Sequence, residues 1–166
     1  MSVDPAGGSR KKNAYRACIR LLAVRARSTA EITGYLEKKG YSQELADEVV
    51  SQLLQERLLN DQDIAALHVE SRMRISPRSG YALRYELRMR GIDEAIIQES
   101  VAGVDDLQAA LAAVRLKQHQ WKHLDPDRVQ KKILGLLRTR GFSYEVAMAT
   151  LETILSQKDK TDGRRN

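Results

Sequence analysis

The chain has one cysteine, three prolines, 5% aromatic residues and no long apolar run. Each scarcity excludes something. A lone Cys18 cannot form an intrachain disulfide, so the small disulfide-stapled scaffolds are ruled out. Few aromatics argue against a β-sandwich, whose strands draw on aromatic and β-branched residues. The longest apolar runs are stretches such as residues 21–24. They fall far short of the roughly 20 residues of a membrane span, and no secretory apolar segment opens the chain, so a cytoplasmic location is expected. Charge, in contrast, is abundant: 30% of 166 residues are charged, with a formal net charge of +6. That length suits one domain or a few small units sharing a core. The positive balance asks for an acidic partner and says no more.

A pattern recurs three times, as ITGYLEKKGYSQELA from Ile32, LRYELRMRGIDEAII from Leu83 and ILGLLRTRGFSYEVA from Ile133. Aligned on Gly40, Gly91 and Gly141, the copies are 51 and 50 residues apart. Leu36, Leu87 and Leu137 stand four residues before the glycines, and Ile32, Leu83 and Ile133 eight before, on one helical stripe. Lys39, Arg90 and Arg140 precede the glycines, where a cation suits the negative end of a helix dipole. The glycines fit the left-handed residue that closes a helix. Tyr41, Ile92 or Phe142 follows, then Ser42, Asp93 or Ser143 as cap of the next helix. Ile92 and Ile97 are spaced as a hydrophobic staple across that cap.

The helix before each glycine has its own start signal. Ser28 and Glu31 form a capping box, while Ser76 precedes Pro77 and Asp125 precedes Pro126. A further amphipathic stretch lies upstream of each start: residues 14–26, 60–74 and 105–122. The expected fold is all-α: nine helices in three tandem three-helix repeats, stacked into an elongated, curved solenoid. The expected boundaries are a disordered basic leader at 1–12, repeats at 13–58, 59–102 and 103–157, and a disordered tail at 158–166.

Charge is sorted along this layout. Between Arg72 and Arg90 lie six arginines and one acid, Glu86. Asp127 to Gly141 carries five bases against one acid. Ser42 to Asp63 carries six acids and one base, and Asp93 to Asp106 five acids and none. Second helices are thus cationic and third helices anionic, either as solvated faces or as a basic and an acidic side of the stack. In the middle copy Tyr81, Tyr85 and Met89 form a second stripe opposite Leu83 and Leu87, flanked by Arg78, Arg84 and Arg88. The outer copies carry Gly34 and Gly135 at the position of Tyr85. Such a helix either packs against both neighbours or presents a Tyr/Arg contact surface of the kind found at binding hot spots and base-stacking sites.

No catalytic constellation emerges, and neither enzyme activity, a cofactor nor a metal is expected. His119 and His123 have the i, i+4 spacing of zinc ligands, but Gln120 stands where a zinc protease carries glutamate, and no third ligand is near. GGSRKK at residues 7–12 lacks the spacing of a phosphate loop. Cys18, between Ala17 and Ile19, reads as a small buried hydrophobe.

Order and spacing of several motifs resemble the RecX family of bacterial RecA modulators over about residues 14–155. LLAVRARSTAEI resembles the family's opening, through Arg27, Ser28, Glu31 and Ile32. LLNDQDIA resembles the next motif, through Leu59, Asn60, Asp61 and Ala65, with Leu58 and Ile64 where relatives have aromatics. Glu86-Leu87 and Arg90-Gly91-Ile92 resemble the middle motif, and Arg140, Gly141, Phe142, Ser143 and Glu145 the last. Residues 76–80 form a serine-rich version of a loop that is glycine-rich in relatives.

The resemblance implies a monomeric regulatory protein of DNA repair, homologous recombination and the SOS response. It implies lodging in the groove of the RecA–single-stranded DNA filament and restraint of RecA ATPase, strand exchange and coprotease activity, with duplex DNA as a further partner through the filament and no membrane. The alternative is a helical repeat protein that binds nucleic acid directly, without RecA. The residues expected to contact the filament are Arg72, Arg74, Arg78, Tyr81, Arg84, Tyr85, Arg88, Lys131, Lys132 and Arg138.

Overall fold

The computed structural model describes residues 5–162, with side chains from 8 to 157. Among the described residues it is all-α: α1 (Pro5–Val24), α2 (Thr29–Lys38), α3 (Gln43–Gln55), α4 (Asp61–Ile75), α5 (Gly80–Met89), α6 (Glu94–Val101), α7 (Asp106–Lys117), α8 (Pro126–Thr139) and α9 (Tyr144–Asp162). A short 3-10 turn, Gln118–Trp121, follows α7. No described helix is long and apolar enough to cross a membrane.

The repeat is built as its residues dictate. Leu36, Leu87, Leu137, Ile32, Leu83 and Ile133 are all buried. Gly40, Gly91 and Gly141 have φ of 79°, 71° and 82°. The residue after each glycine donates its backbone N–H back to the leucine carbonyl: Tyr41 to Leu36 at 3.2 Å, Ile92 to Leu87 at 3.2 Å and Phe142 to Leu137 at 3.1 Å. These bonds satisfy carbonyls that the helix end leaves open. Ser42 Oγ then accepts from Leu45 N, Asp93 Oδ1 from Ala95 N and Ser143 Oγ from Val146 N, starting the third helix. α3 closes by the same bonding without a glycine: Arg57 takes φ 57° and Leu58 N–H reaches Leu53 O at 2.9 Å.

The chain divides into two units. One takes the described residues up to Leu67 together with Leu87–Ile97; the other takes His68–Glu86 and the chain from Gln98 onward. The first unit has a core of α1, α2 and α3, in which Cys18, Ile32, Leu36, Val49 and Leu53 are fully buried. Burial lifts the Cys18 thiol to about 11, so it is an inert hydrophobe. The second unit has a core of α7, α8 and α9 around Ala110, Ala113, Ile133, Leu137 and Phe142.

Three expectations about elements change. α5 starts at Gly80, not Pro77: Ser79 Oγ accepts from Ala82 N at 3.1 Å and is the cap, while Pro77 is buried ahead of the helix. α7 stops at Lys117. The tighter 3-10 turn after it places Trp121 against the second core, so His119 and His123 do not share one α-helical face. Residues 5–12 of the expected leader and 158–162 of the expected tail are helical, in α1 and α9; residues 1–4 and 163–166 lie outside the described residues.

Candidate interaction surface

Two joints of matching design organise the polar chemistry, one in each unit. In the first, the Gly91 turn meets the start of α2. Ser28 is buried; its Oγ accepts from Glu31 N and donates to Arg90 O at 2.5 Å. Arg90 Nη2 donates to Ala26 O at 3.2 Å and Thr29 N–H to Asp61 Oδ1 at 2.9 Å. In the second, the Gly141 turn meets the start of α5. Ser79 is buried; its Oγ donates to Gly141 O at 2.6 Å. Arg140 Nη1 donates to Pro77 O at 3.2 Å and Gly80 N–H to Asp106 Oδ1 at 2.7 Å. Each joint thus caps a helix with a serine from its own repeat and an aspartate from the next. Asn60 and Asp105 cap their own helices, through Asp63 N and Gln108 N, which leaves Asp61 and Asp106 to serve the joints.

The cations before Gly91 and Gly141 are therefore more than helix-end charges. Arg90 and Arg140 clasp the preceding repeat. Lys39 sits 5.7 Å from the centre of its own repeat's Tyr35 ring instead. Burial, followed by the nearby Arg78 charge, lowers the Arg140 pKa.

Glu31 sits at the centre of the first joint. It accepts from Ser28 N at 2.8 Å and Arg25 Nη2 at 2.7 Å, and Arg90 Nη2 lies 3.3 Å away. Burial alone would raise its pKa. Arg25, the Ser28 N–H and Arg90 together outweigh that and hold the carboxyl at about 2.

The expected contact residues separate into held and open ones. Glu86 gathers three bases: His68 Nε2 at 2.6 Å, Arg72 Nε at 2.9 Å and Arg78 Nε at 3.0 Å. The Arg78 Nε hydrogen is not directed at the carboxylate, so that contact is an ion pair without a hydrogen bond. Arg88 grips Glu94 with two bonds, at 2.8 and 2.7 Å. Arg74 and Arg84 make no ion pair among the described residues. Arg84 instead folds back toward the first turn of its helix, where a Cβ added at Gly80 would stand 3.2 Å from its Nη1. Tyr81 is 70% exposed and Tyr85 56%. They do not serve as a second packing stripe. Lys131, Lys132 and Arg138 are exposed on α8.

All of these residues except Arg88 belong to the second unit. The structure brings Arg72 and Arg78 together through Glu86, leaves Arg74 and the two tyrosines exposed, and leaves Arg84 half-buried without an ion pair among the described residues. Sequence reading missed the hub and the joints. The joints had a signal: Ser28 and Ser79 are 51 residues apart, and the Asn60-Asp61 and Asp105-Asp106 pairs are 45 apart. It also missed that Arg27, Arg78 and Arg128 each stand thirteen residues before a repeat glycine.

Residues 14–53 match the family model for the first three-helix domain of RecX, and residues 60–101 the model for its second. The chain is 34% identical over 157 residues to the regulatory protein RecX of Mycobacterium marinum, covering 92% of this chain and 91% of that one. It is 33% identical over 156 residues to that of Mycobacterium leprae, covering 89% and 91%. The crystal structure of RecX from Lactobacillus salivarius superposes with a TM-score of 0.72 at 21% identity, covering 88% of this chain and 97% of that one. A second structure, of a regulatory protein RecX, gives 0.70 at 19% identity, covering 92% and 79%. At those identities the two structures establish the fold.

Proposed function

The chain belongs to the RecX family of regulatory proteins, and we propose that it regulates the RecA recombinase by binding the groove of the RecA–single-stranded DNA filament. There it acts in the cytoplasm as a monomeric binding protein, not an enzyme, and restrains the ATPase, strand-exchange and coprotease activities that need an extended filament. Arg74 and Arg84 carry this reading. They are cations without an ion pair among the described residues, in a segment where Arg72 and Arg78 are already held by Glu86. Exposed Tyr81 and Tyr85 stand on the same helix as Arg84. Guanidinium groups without a carboxylate partner, beside exposed tyrosines, suit phosphates, carboxylates and flat bases.

The test is the RecA ATPase rate on single-stranded DNA with and without the protein. Wild type is expected to lower it. The double variant Arg74→Ala, Arg84→Ala should keep its helicity and need higher concentration for the same inhibition. The loss should be about 1–3 kcal/mol if both are charge-assisted contacts. An ATPase rate unchanged by saturating wild-type protein would refute the reading.

A further inference from the structure

We propose that a trench along α8 seats a single strand of nucleic acid, with phosphates on its cations, a base against Trp121 and the strand's backbone close to Gly135. This deepens the reading above by naming the partner of one part of the surface, and it requires no RecA.

The trench lies between α8 on one side and the end of α7 with its 3-10 turn on the other, and has a volume of about 780 Å³. The α8 wall is a single helical stripe of Arg128, Lys131, Lys132, Gly135 and Arg138. At ~1.5 Å per residue that stripe runs about 15 Å, with cations roughly one helical turn apart except at the glycine. Lys117 adds charge from the facing wall, and no acidic residue lines the trench among the described residues. Arg128 pairs with Asp125 at 3.2 Å in an exposed position. The other cations have no ion pair among the described residues. Trp121, the one tryptophan of the chain, is half-buried in the wall and supported from below by the second core.

Gly135 is the informative residue. It lies inside a helix, where glycine is less stable than alanine. Among the described residues nothing stands within 4 Å of a Cβ added there, so their packing does not require it. A glycine with open space in front of it, in a cationic trench, permits close approach of a ligand to the helix backbone. The first repeat has a glycine at the same place: Gly34, six residues before Gly40 as Gly135 is before Gly141, also has nothing within 4 Å among the described residues. It lines a smaller trench with Arg27, Lys38 and Arg88, and there the acidic Glu31 also lines the wall; Arg27 Nε is buried with no hydrogen-bond partner among the described residues.

A ligand carrying one charge per residue and a flat group beside it matches cations in a line and a tryptophan wall. Single-stranded nucleic acid has that chemistry, and aromatic stacking serves any base.

Trp121 is itself the reporter. Its fluorescence would be followed while an oligodeoxythymidylate of about ten nucleotides is added without RecA. Quenching that weakens with salt is expected. Gly135→Gln, which fills the trench without a clash, should bind at least about tenfold more weakly while melting no lower than wild type. Lys131→Ala with Lys132→Ala should weaken binding and flatten the salt dependence by roughly 0.7 in log–log slope for each phosphate no longer neutralised. Absence of quenching, binding unaffected by all three substitutions, or quenching by a polyglutamate peptide alone would overturn the proposal. Inhibition of RecA by a protein that fails this assay would sink the trench alone. Oligonucleotide binding with no effect on RecA would sink the filament reading alone.

Discussion

Gly40, Gly91 and Gly141 share a positive φ but not their surroundings, and the difference can be measured. At Gly40 an added Cβ meets nothing within 4 Å among the described residues. At Gly91 it would lie 2.4 Å from the Ala30 Cβ, and at Gly141 2.8 Å from the Ala82 Cβ and the Ser79 Oγ. Alanine at Gly40 should therefore cost only the left-handed backbone strain, about 1–2 kcal/mol. Alanine at Gly91 or Gly141 should cost more, because the joint must open to accept the methyl. Chemical denaturation of the three variants checks the order, and equal losses would show that the joints yield freely. The sequence placed these glycines correctly as turns, since an i, i+4 apolar stripe, a cation and a following cap all mark a helix end. That two of the turns also dock against a helix start was not readable, because the docking partner lies about sixty residues away: Ser28 bonds to Arg90, and Ser79 to Gly141.

At the scale of elements, the start of α2 was readable and the start of α5 was not. Ser28 and Glu31 form a complete capping box within four residues, so local sequence suffices. Ser76-Pro77 is an equally good local start, yet Ser79 wins, because its N–H bonds to Arg140 O and its hydroxyl to Gly141 O. Tertiary bonds overrode a local signal there. The α2 box has a consequence for pH. The Glu31 carboxyl titrates at about 2 in the folded chain, below the ~4.3 of an unfolded glutamate. Its stabilisation is therefore complete above the unfolded value and is lost as pH falls toward 2. At neutral pH it amounts to on the order of 2–3 kcal/mol. Glu31→Gln should be less stable than wild type by roughly that amount at neutral pH, and the gap should narrow between about pH 4.5 and 2. Denaturation curves at several pH values would show it, and a gap independent of pH would mean that Glu31 acts through shape and not charge.

Across the whole molecule, the charge sorting was visible in the sequence while the pairing was not. Six arginines between Arg72 and Arg90 are plain to read, but one-letter order does not reveal that Glu86 holds two of them and Glu94 a third. The structure thus changes which arginines to test. Arg72 and Arg78 neutralise a carboxylate that is largely withdrawn from solvent, so replacing both by alanine should lower the melting temperature before binding is considered. Arg74 and Arg84 have no such duty among the described residues, and replacing them should leave melting nearly unchanged. If those two meet phosphates, the binding of this basic protein to filaments will weaken with salt, and each phosphate left without its arginine will reduce the log–log slope by about 0.7 on single strands or 0.9 on duplex DNA. If they meet RecA carboxylates, affinity will fall without that counterion-release slope. A titration of filament binding at several salt concentrations, wild type against Arg74→Ala, Arg84→Ala, separates the two partners. Identical affinities for both proteins at every salt concentration would reduce these arginines to a solvated face.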